Sequence, residues 1–511
     1  MHITDAIWRN SYRWPQRTAL VQQGRAISYS GLRVTVEKLM ARLTGLGVVP
    51  QDCVAISCAD AAANVSLVLA LARMGAVSTP LNAAWSAELR RELLERNRVS
   101  FYLRDDQEAA RDAVPVSVPQ ITIGSLFSDL DAQAPVASAV ALGDDEQVWR
   151  VALSSGTTGT PKSIGWTHGA CALRYALSLG ANSAVDQSAL LVFADMGMGL
   201  CLGRALIQLS GGGTLVVPAN ATPQEFFAVL QRDQPTHLLT TPAIAGTIVA
   251  VMQRQRLTRA QVAPGLTSIT LGGSVVAPAL MQQITDYLCP QVRLSYGATE
   301  TGELALTDAA LLAAEPASAG RLAPWVQAQA VDAADQVLEP GSVGLLRFRS
   351  VAMASGYLDD AQASAKAFRD GWYYPGDLGS VDLRGHLTLT GRADHRINLQ
   401  GVKIDPQEVE RVLGQYPGVQ EAGVVALQRT DGVPALVAAL VTDEVALDRA
   451  ALQQWCRQHG SDAAVPRQFV ELEALPRTPM GKLDRAALQD AVLAQLQRLF
   501  EDTGPAPLGD D

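Results

Sequence analysis

Between Leu153 and His168 the chain reads LSSGTTGTPKSIGWTH, with three glycines, four threonines and one lysine in sixteen residues. Backbone N–H groups freed by glycine, hydroxyls and an ammonium together suit a phosphate. The candidate contacts are Ser154, Ser155, Gly156, Thr157, Thr158, Gly159 and Lys162. The preceding QVWRVALSS reads as a strand and the following HGACALRYALSLG as a helix, so the segment is expected at a strand-to-helix turn. The Walker spacing fails, because Thr160 and Pro161 separate Gly159 from Lys162. Taken alone, the stretch would be an ordinary solvated Gly/Thr turn.

Five more stretches follow it: LTSITLGGSVVAPAL, SYGATETG, GWYYPGDLGSVD, GRADHRINLQGVKIDPQEVE and LPRTPMGKLDR. In content and order the six resemble the signatures of the adenylate-forming superfamily, which includes acyl- and aryl-CoA synthetases, peptide-synthetase adenylation domains and luciferases. The resemblance spans nearly the whole chain. It implies a large α/β N-terminal domain with parallel sheets flanked by helices (1–391), a hinge (392–395), a small mobile α+β C-terminal lid domain (396–500) and a disordered acidic tail (501–511).

The implied reaction joins two anions, a carboxylate and the α-phosphate of ATP, giving acyl-AMP and pyrophosphate. Unit charges about 4 Å apart repel by about 4 kcal/mol at an effective dielectric of about 20, so cations and oriented donors must offset the repulsion. By resemblance, Lys482 of PMGKLDR bridges the carboxylate and the α-phosphate. Glu300 of YGATETG offers a hard oxygen to Mg²⁺, with Thr158 as a second metal contact. Asp377 of YPGDLG can accept hydrogen bonds from both ribose hydroxyls, and Arg392 of GRADH adds a donor there. Gly272, Gly273 and Ser274, with Tyr296, Gly297, Ala298 and Thr299, are expected to border the adenine and phosphates. Many relatives carry an acidic residue in place of Ser274 and a lysine in place of Asn398. Asp394 matches the hinge about which the lid is expected to turn after adenylation.

Leu190 to Leu206, LLVFADMGMGLCLGRAL, matches the wall of the family's acyl pocket. Phe193, Met196 and Met198 are either pocket or core, and Gly197 and Gly199 leave room beside them. Asp195 is the candidate to hold a substrate amine, and His237 lies near the expected pocket. The longer loop after Asp195 favours a small-molecule acid without an α-amine, with free CoA or a separate phosphopantetheine carrier as acceptor; a stand-alone amino-acid adenylation enzyme is the alternative. An ATP hydrolase or kinase and a non-catalytic nucleotide-binding module are remoter alternatives.

The elements that must hold these residues alternate. Helical spacing in YSGLRVTVEKLMARLTGLG, AANVSLVLALARMG and PQEFFAVLQRD is interleaved with strand-like DCVAISC, TLVVP and HLLTT, the texture of parallel sheets covered by helices. After about residue 390 the elements shorten, and Asp405 and Pro406 mark a helix start whose apolar face is Val409, Val412 and Leu413. Across 511 residues, 41 basic against 51 acidic side chains leave a net charge of −10, without the basic footprint expected of a nucleic-acid or membrane-surface binder. Six scattered cysteines without a CxxC pair argue for buried thiols, and with no apolar leader or spanning segment the protein is expected in the cytoplasm, its oligomeric state open.

Overall fold

The computed structural model describes residues 2–111, 117–136, 144–154, 161–180, 185–274, 276, 278–393, 397–399, 402–428, 434–442, 448–459, 464–478 and 482–503. The phosphate-loop residues Ser155 to Gly159 and the hinge residue Asp394 lie outside this set.

Two sheets form the body. The smaller runs in the order Gln120–Thr122, Val99–Arg104, Cys53–Ser57, Val77–Pro80, Val148–Ser154 and Lys162–Thr167. Its strands are parallel except the last pair. The helix Ala61–Met74, apolar all round, is buried from Ala61 through Arg73, as expected of a helix covered on every side. Asp60 caps its start by accepting from Ala63 N at 2.9 Å.

In the larger sheet, the parallel strands Thr18–Gln22, Thr214–Val217, Ala189–Val192, His237–Thr240, Ser268–Gly272 and Val292–Ala298 are neighbours in that order. Helix Pro223–Arg232 carries one crossover, started by Thr222 accepting from Glu225 N and by proline at the first turn. From Val292 onward the pairing turns antiparallel, through Gly302–Asp308, Ser318–Leu322, His386–Arg392, Asp377–Val381 and Gly344–Ser350. The α/β expectation therefore holds, with mixed rather than wholly parallel sheets.

The phosphate loop is placed differently from the sequence reading. Val148–Ser154 pairs antiparallel with Lys162–Thr167, Ser154 opposite Lys162, so the Gly/Thr segment connects a hairpin. The helix begins only at His168. The strand Lys162–Thr167 intervenes between Pro161 and the helix, so the helix-terminus argument for anion binding does not apply to the Gly/Thr segment. His168 is buried and stacks on His2 with ring centroids 3.8 Å apart, tying the amino end to this helix.

In the C-terminal part, Val419–Gln428 and Pro434–Thr442 pair antiparallel and Gln468–Glu471 adds in parallel. Helices Pro406–Leu413 and Arg449–His459 bury Val409, Val412, Leu413, Leu452 and Cys456 against one face, while Leu488 and Val492 of Arg485–Thr503 cover the other. Asp405 caps the first helix through Gln407 N at 2.8 Å, as its sequence predicts. The last helix runs through Thr503, three residues into the segment expected to be tail.

One ion pair fastens these layers next to Lys482. Arg485 donates to both oxygens of Glu410, at 2.9 and 3.0 Å, and to the Val424 carbonyl at 3.1 Å. Burial raises the Glu410 pKa, and Arg485 opposes that rise. The body contributes Gly391, at φ +136°, where an added Cβ would overlap the Asp405 carboxylate. Gly391→Ala should therefore lower stability by about 1–3 kcal/mol, read as a fall in unfolding midpoint, and weaken adenylation by displacing Arg392. An unchanged midpoint would contradict this packing.

Candidate active site

Tyr296, Asp377 and Arg392 come from three strands of the larger sheet. Asp377 and Arg392 stand opposite each other on paired strands, and Arg392 Nη1 donates to Asp377 Oδ1 at 3.0 Å. Tyr296 Oη donates to Asp377 Oδ2 at 2.5 Å. Arg392 Nη2 also holds the Pro375 carbonyl at 3.0 Å, bracing the Pro-Gly turn that precedes Asp377. Burial, then the Asp377 carboxylate, pushes the Tyr296 phenol well up, so it remains a donor at neutral pH. Each carboxylate oxygen keeps a second lone pair for a ligand hydroxyl.

A second cluster surrounds Glu300, which is 4% exposed. Tyr357 Oη donates to its Oε1 at 2.9 Å, and Ala354 N and Arg174 Nη2 hold its main-chain carbonyl at 2.8 and 3.3 Å. Lys162 Nζ lies 4.7 Å from the centroid of the Tyr357 ring, so this ring links the lysine that ends the phosphate loop to the buried carboxylate. Burial and then Glu300 raise the pKa values of Tyr357 and Tyr373. A single carboxylate suits a cation that brings its other oxygen ligands on the nucleotide, as Mg²⁺ does. Among the described residues no group of three His, Cys, Asp or Glu could hold a metal, which does not fit a resident zinc.

Lys482 lies on a loop of the C-terminal part. Its loop is closed by Thr478 N donating to Lys482 O at 2.7 Å and Lys482 N to Thr478 Oγ1 at 3.2 Å. The side chain keeps an exposed surface, yet Arg392, Asp377 and Glu300 all act on its charge. The protein packed around the ammonium, and next Arg392, lower its pKa below the ordinary 10.5, while Asp377 and Glu300 oppose the shift. The cation on this C-terminal loop thus falls within the electrostatic reach of Asp377 and Glu300.

The acyl-pocket expectations divide. Phe193 is 1% exposed and meets Phe226 edge-on at 5.0 Å, and Met196 is 3% exposed in the same way, so both are core. His237 opens its strand, paired with Leu190 and Ser268 at the N-terminal ends, whereas Gly272 and Ser295 pair at the opposite end, where open α/β sheets bind ligands. His237 is therefore withdrawn as a pocket residue. Asp195 is exposed, with Oδ1 accepting from Gly197 N at 2.7 Å and Oδ2 from Asn82 Nδ2 at 3.2 Å; it shapes its own turn. Met198 stays near the site, its Cε 3.5 Å from a Cβ placed on Gly273, whose φ of +95° favours glycine. Gly272 gives way to Leu200, and Gly297 to the Gly302 carbonyl. Ser274 follows this turn, and Ala298 ends the strand that carries Tyr296.

Sequence reasoning missed four supporting residues. Tyr357 and Arg174 hold Glu300 from segments distant in the chain. Trp166 Nε1 donates to the Thr299 carbonyl at 3.2 Å, and its ring fills the space a Cβ on Gly199 would need. Arg150, 1% exposed, donates to Ser78 Oγ at 3.3 Å and to the Gly197 carbonyl at 3.2 Å. Burial lowers its pKa to about 10, which leaves it charged at neutral pH beneath the pocket turn. Arg150 and Trp166 flank or lie within the signature stretch, but nothing in their spacing relates them to Gly197 or Thr299.

This geometry agrees with comparisons to known proteins. The sequence model described as AMP-binding enzyme matches residues 7–358, and that of the AMP-binding enzyme C-terminal domain matches 408–482. The indoleacetate–CoA ligase of Aromatoleum aromaticum is 27% identical over 508 residues, covering 96% of this chain and 98% of that protein. The probable nonribosomal peptide synthetase CymA of Salinispora arenicola is 27% identical over 486 residues, and there the chain spans 93% of its own length but 6% of the synthetase. The ATP-bound crystal structure of MatB from Rhodopseudomonas palustris superposes with a TM-score of 0.83 at 21% identity, covering 96% of this chain and 99% of that one, and shares the fold. With one family model matched over more than half of its length, and a second over the C-terminal part, the chain belongs to the AMP-binding enzyme family.

Proposed function

We propose that the protein activates a carboxylic acid, an aryl acid without an α-amine, with ATP, and passes the acyl group to the thiol of CoA. The observation that carries this reading is the held pair of carboxylates, Asp377 fixed by Tyr296 and Arg392 and Glu300 by Tyr357, with the charge of Lys482 acted on by both. A carboxylate oxygen of the acid attacks the α-phosphorus, and the bond to the bridging oxygen breaks, releasing pyrophosphate. Lys482 supplies the positive charge shared by the two approaching anions, while Asp377, held by Tyr296 and Arg392, fixes the ribose. Lys162 and the phosphate loop hold the β- and γ-phosphates. Mg²⁺ entering with the nucleotide would be held by Glu300 and Thr158 and would neutralise phosphate charge. In the second step the thiol sulfur attacks the acyl carbon, and AMP leaves.

The body 1–391, hinge 392–395 about Asp394 and cap 396–500 are the parts proposed to move between these steps. The aryl acid is supported by the indoleacetate–CoA ligase among the relatives. Asp195, the candidate for a substrate amine, braces its own turn through Gly197 and reaches Asn82. A carrier-bound phosphopantetheine offers the same thiol as CoA; mass detection of the thioester formed with each separates them.

Lys482→Ala should reduce acid-dependent exchange of labelled pyrophosphate into ATP by about 10²–10³-fold without shifting the unfolding midpoint. Near wild-type exchange would remove the assigned role. Because the active form is the ammonium and its pKa is depressed, adenylation should be lost as pH rises through a midpoint below 10.5. Lys482→Arg, which stays charged, should lack that limb even if its maximal rate is lower. A wild-type limb at or above 10.5 would contradict the placement of Lys482.

A further inference from the structure

Helix Gly199–Ser210 begins at the acyl-pocket turn and lays Leu200 against Gly272 at the C-terminal edge of the central strands. Arg204 is one helical turn further and shares that face. Its Nη2 pairs with Glu303 Oε2, and the same oxygen accepts from Ser295 Oγ at 2.8 Å. Ser295 pairs with Gly272 and precedes Tyr296, while Glu303 pairs with Gly297. Three elements that border the nucleotide site therefore bring one guanidinium, one carboxylate and one hydroxyl together beside the acyl turn. Next to Arg204, a Cβ placed on Gly203 would meet nothing within 4 Å, so there is room along this helix.

The cluster is half-finished as a hydrogen-bonding unit. Both contacts to Glu303 fall on Oε2, and among the described residues neither Glu303 Oε1 nor the other Arg204 nitrogens has a hydrogen-bond partner. The two side chains are 20% and 17% exposed, so water reaches them little and a ligand group facing them would be largely desolvated. An apolar pair of similar volume would generally hold such a position as well or better, so stability alone does not account for the charges. The pair is neutral overall: a second carboxylate on the ligand would face Glu303, and an ammonium would face Arg204. A neutral group that both donates and accepts fits both partners.

We propose that Arg204 and Glu303, braced by Ser295, are specificity-determining residues that read a hydroxyl carried by the acid away from its reacting carboxylate. The O–H donates to Glu303 Oε1, and its oxygen accepts from an Arg204 N–H. This rests on the acid-activating reading and narrows its substrate class to hydroxy-substituted acids. A site built to hydrogen-bond a substrate hydroxyl rejects the analogue lacking it, by up to about 10⁴–10⁵-fold. Because Arg204 and Glu303 already satisfy each other in part, the expected discrimination here is smaller, about 10–100-fold in kcat/KM.

The test is pyrophosphate exchange with 3- and 4-hydroxybenzoate and 4-hydroxyphenylacetate, each against benzoate or phenylacetate, in wild type, Glu303→Gln and Arg204→Met. Unfolding midpoints and KM for ATP check that each variant retains its nucleotide site. The expected result is a wild-type preference of at least about 10-fold for a hydroxyl-bearing acid, collapsing toward unity in both variants through KM for the acid. Exchange with no hydroxyl preference in wild type, or a preference that survives both substitutions, overturns this inference and leaves the activity reading standing. Exchange with no acid of either set overturns the activity reading, and the inference falls with it.

Discussion

One electrostatic problem organises the site: two anions have to come within bonding distance where Asp377 and Glu300, the proposed ribose and metal contacts, are themselves carboxylates. Asp377 and Glu300 both add negative potential where the substrates are already negative. Arg392 answers the first by direct pairing at 3.0 Å. The second is buried, its carboxylate accepting from the Tyr357 hydroxyl at 2.9 Å. Lys482 adds the opposing charge from a separate loop of the C-terminal part. Loss of pKa through crowding and through Arg392 is the consequence of placing a cation there.

Such a cation is useful only if it arrives in register, which explains the stiffness of the parts behind it. The Glu410–Arg485 pair locks two helices and a strand together three residues from Lys482. On the body side, the absence of a side chain at Gly391 lets the cap of the first C-terminal helix close against the strand that ends in Arg392. The loop of Lys482 and the strand of Arg392 are thus braced by neighbouring contacts of the same C-terminal part. Tyr357 plays the equivalent part between Lys162 and Glu300, with a ring face for one and a hydroxyl for the other.

Much of this was readable in the chain, and what was not has a physical reason. Asp377, Arg392, Tyr296 and Glu300 each lie in a short contiguous motif, which made them visible as candidates although strand pairing is what brings the first three together, and the Asp405–Pro406 helix start was local. Errors arose where tertiary context decides. The strand Lys162–Thr167 holds one glycine and begins beside a proline, so its pairing with Val148–Ser154 was invisible without its partner. Phe193 and Met198 lie five residues apart in one apolar stretch, and only the packing of Phe226 sends the first into the core. His237 is expected near the pocket, but it opens its strand at the N-terminal ends of its neighbours, a placement that depends on sheet pairing. Arg204, Glu303 and Ser295 carried no signal at all, since their relation exists only across three elements.

The claim that the acid's carboxylate meets the α-phosphate can be tested directly by oxygen tracing. With an acid labelled in both carboxyl oxygens with ¹⁸O, a single complete turnover in the presence of CoA should yield AMP carrying one ¹⁸O atom and unlabelled pyrophosphate. Label appearing in inorganic phosphate, or AMP free of label while thioester accumulates, would contradict the account.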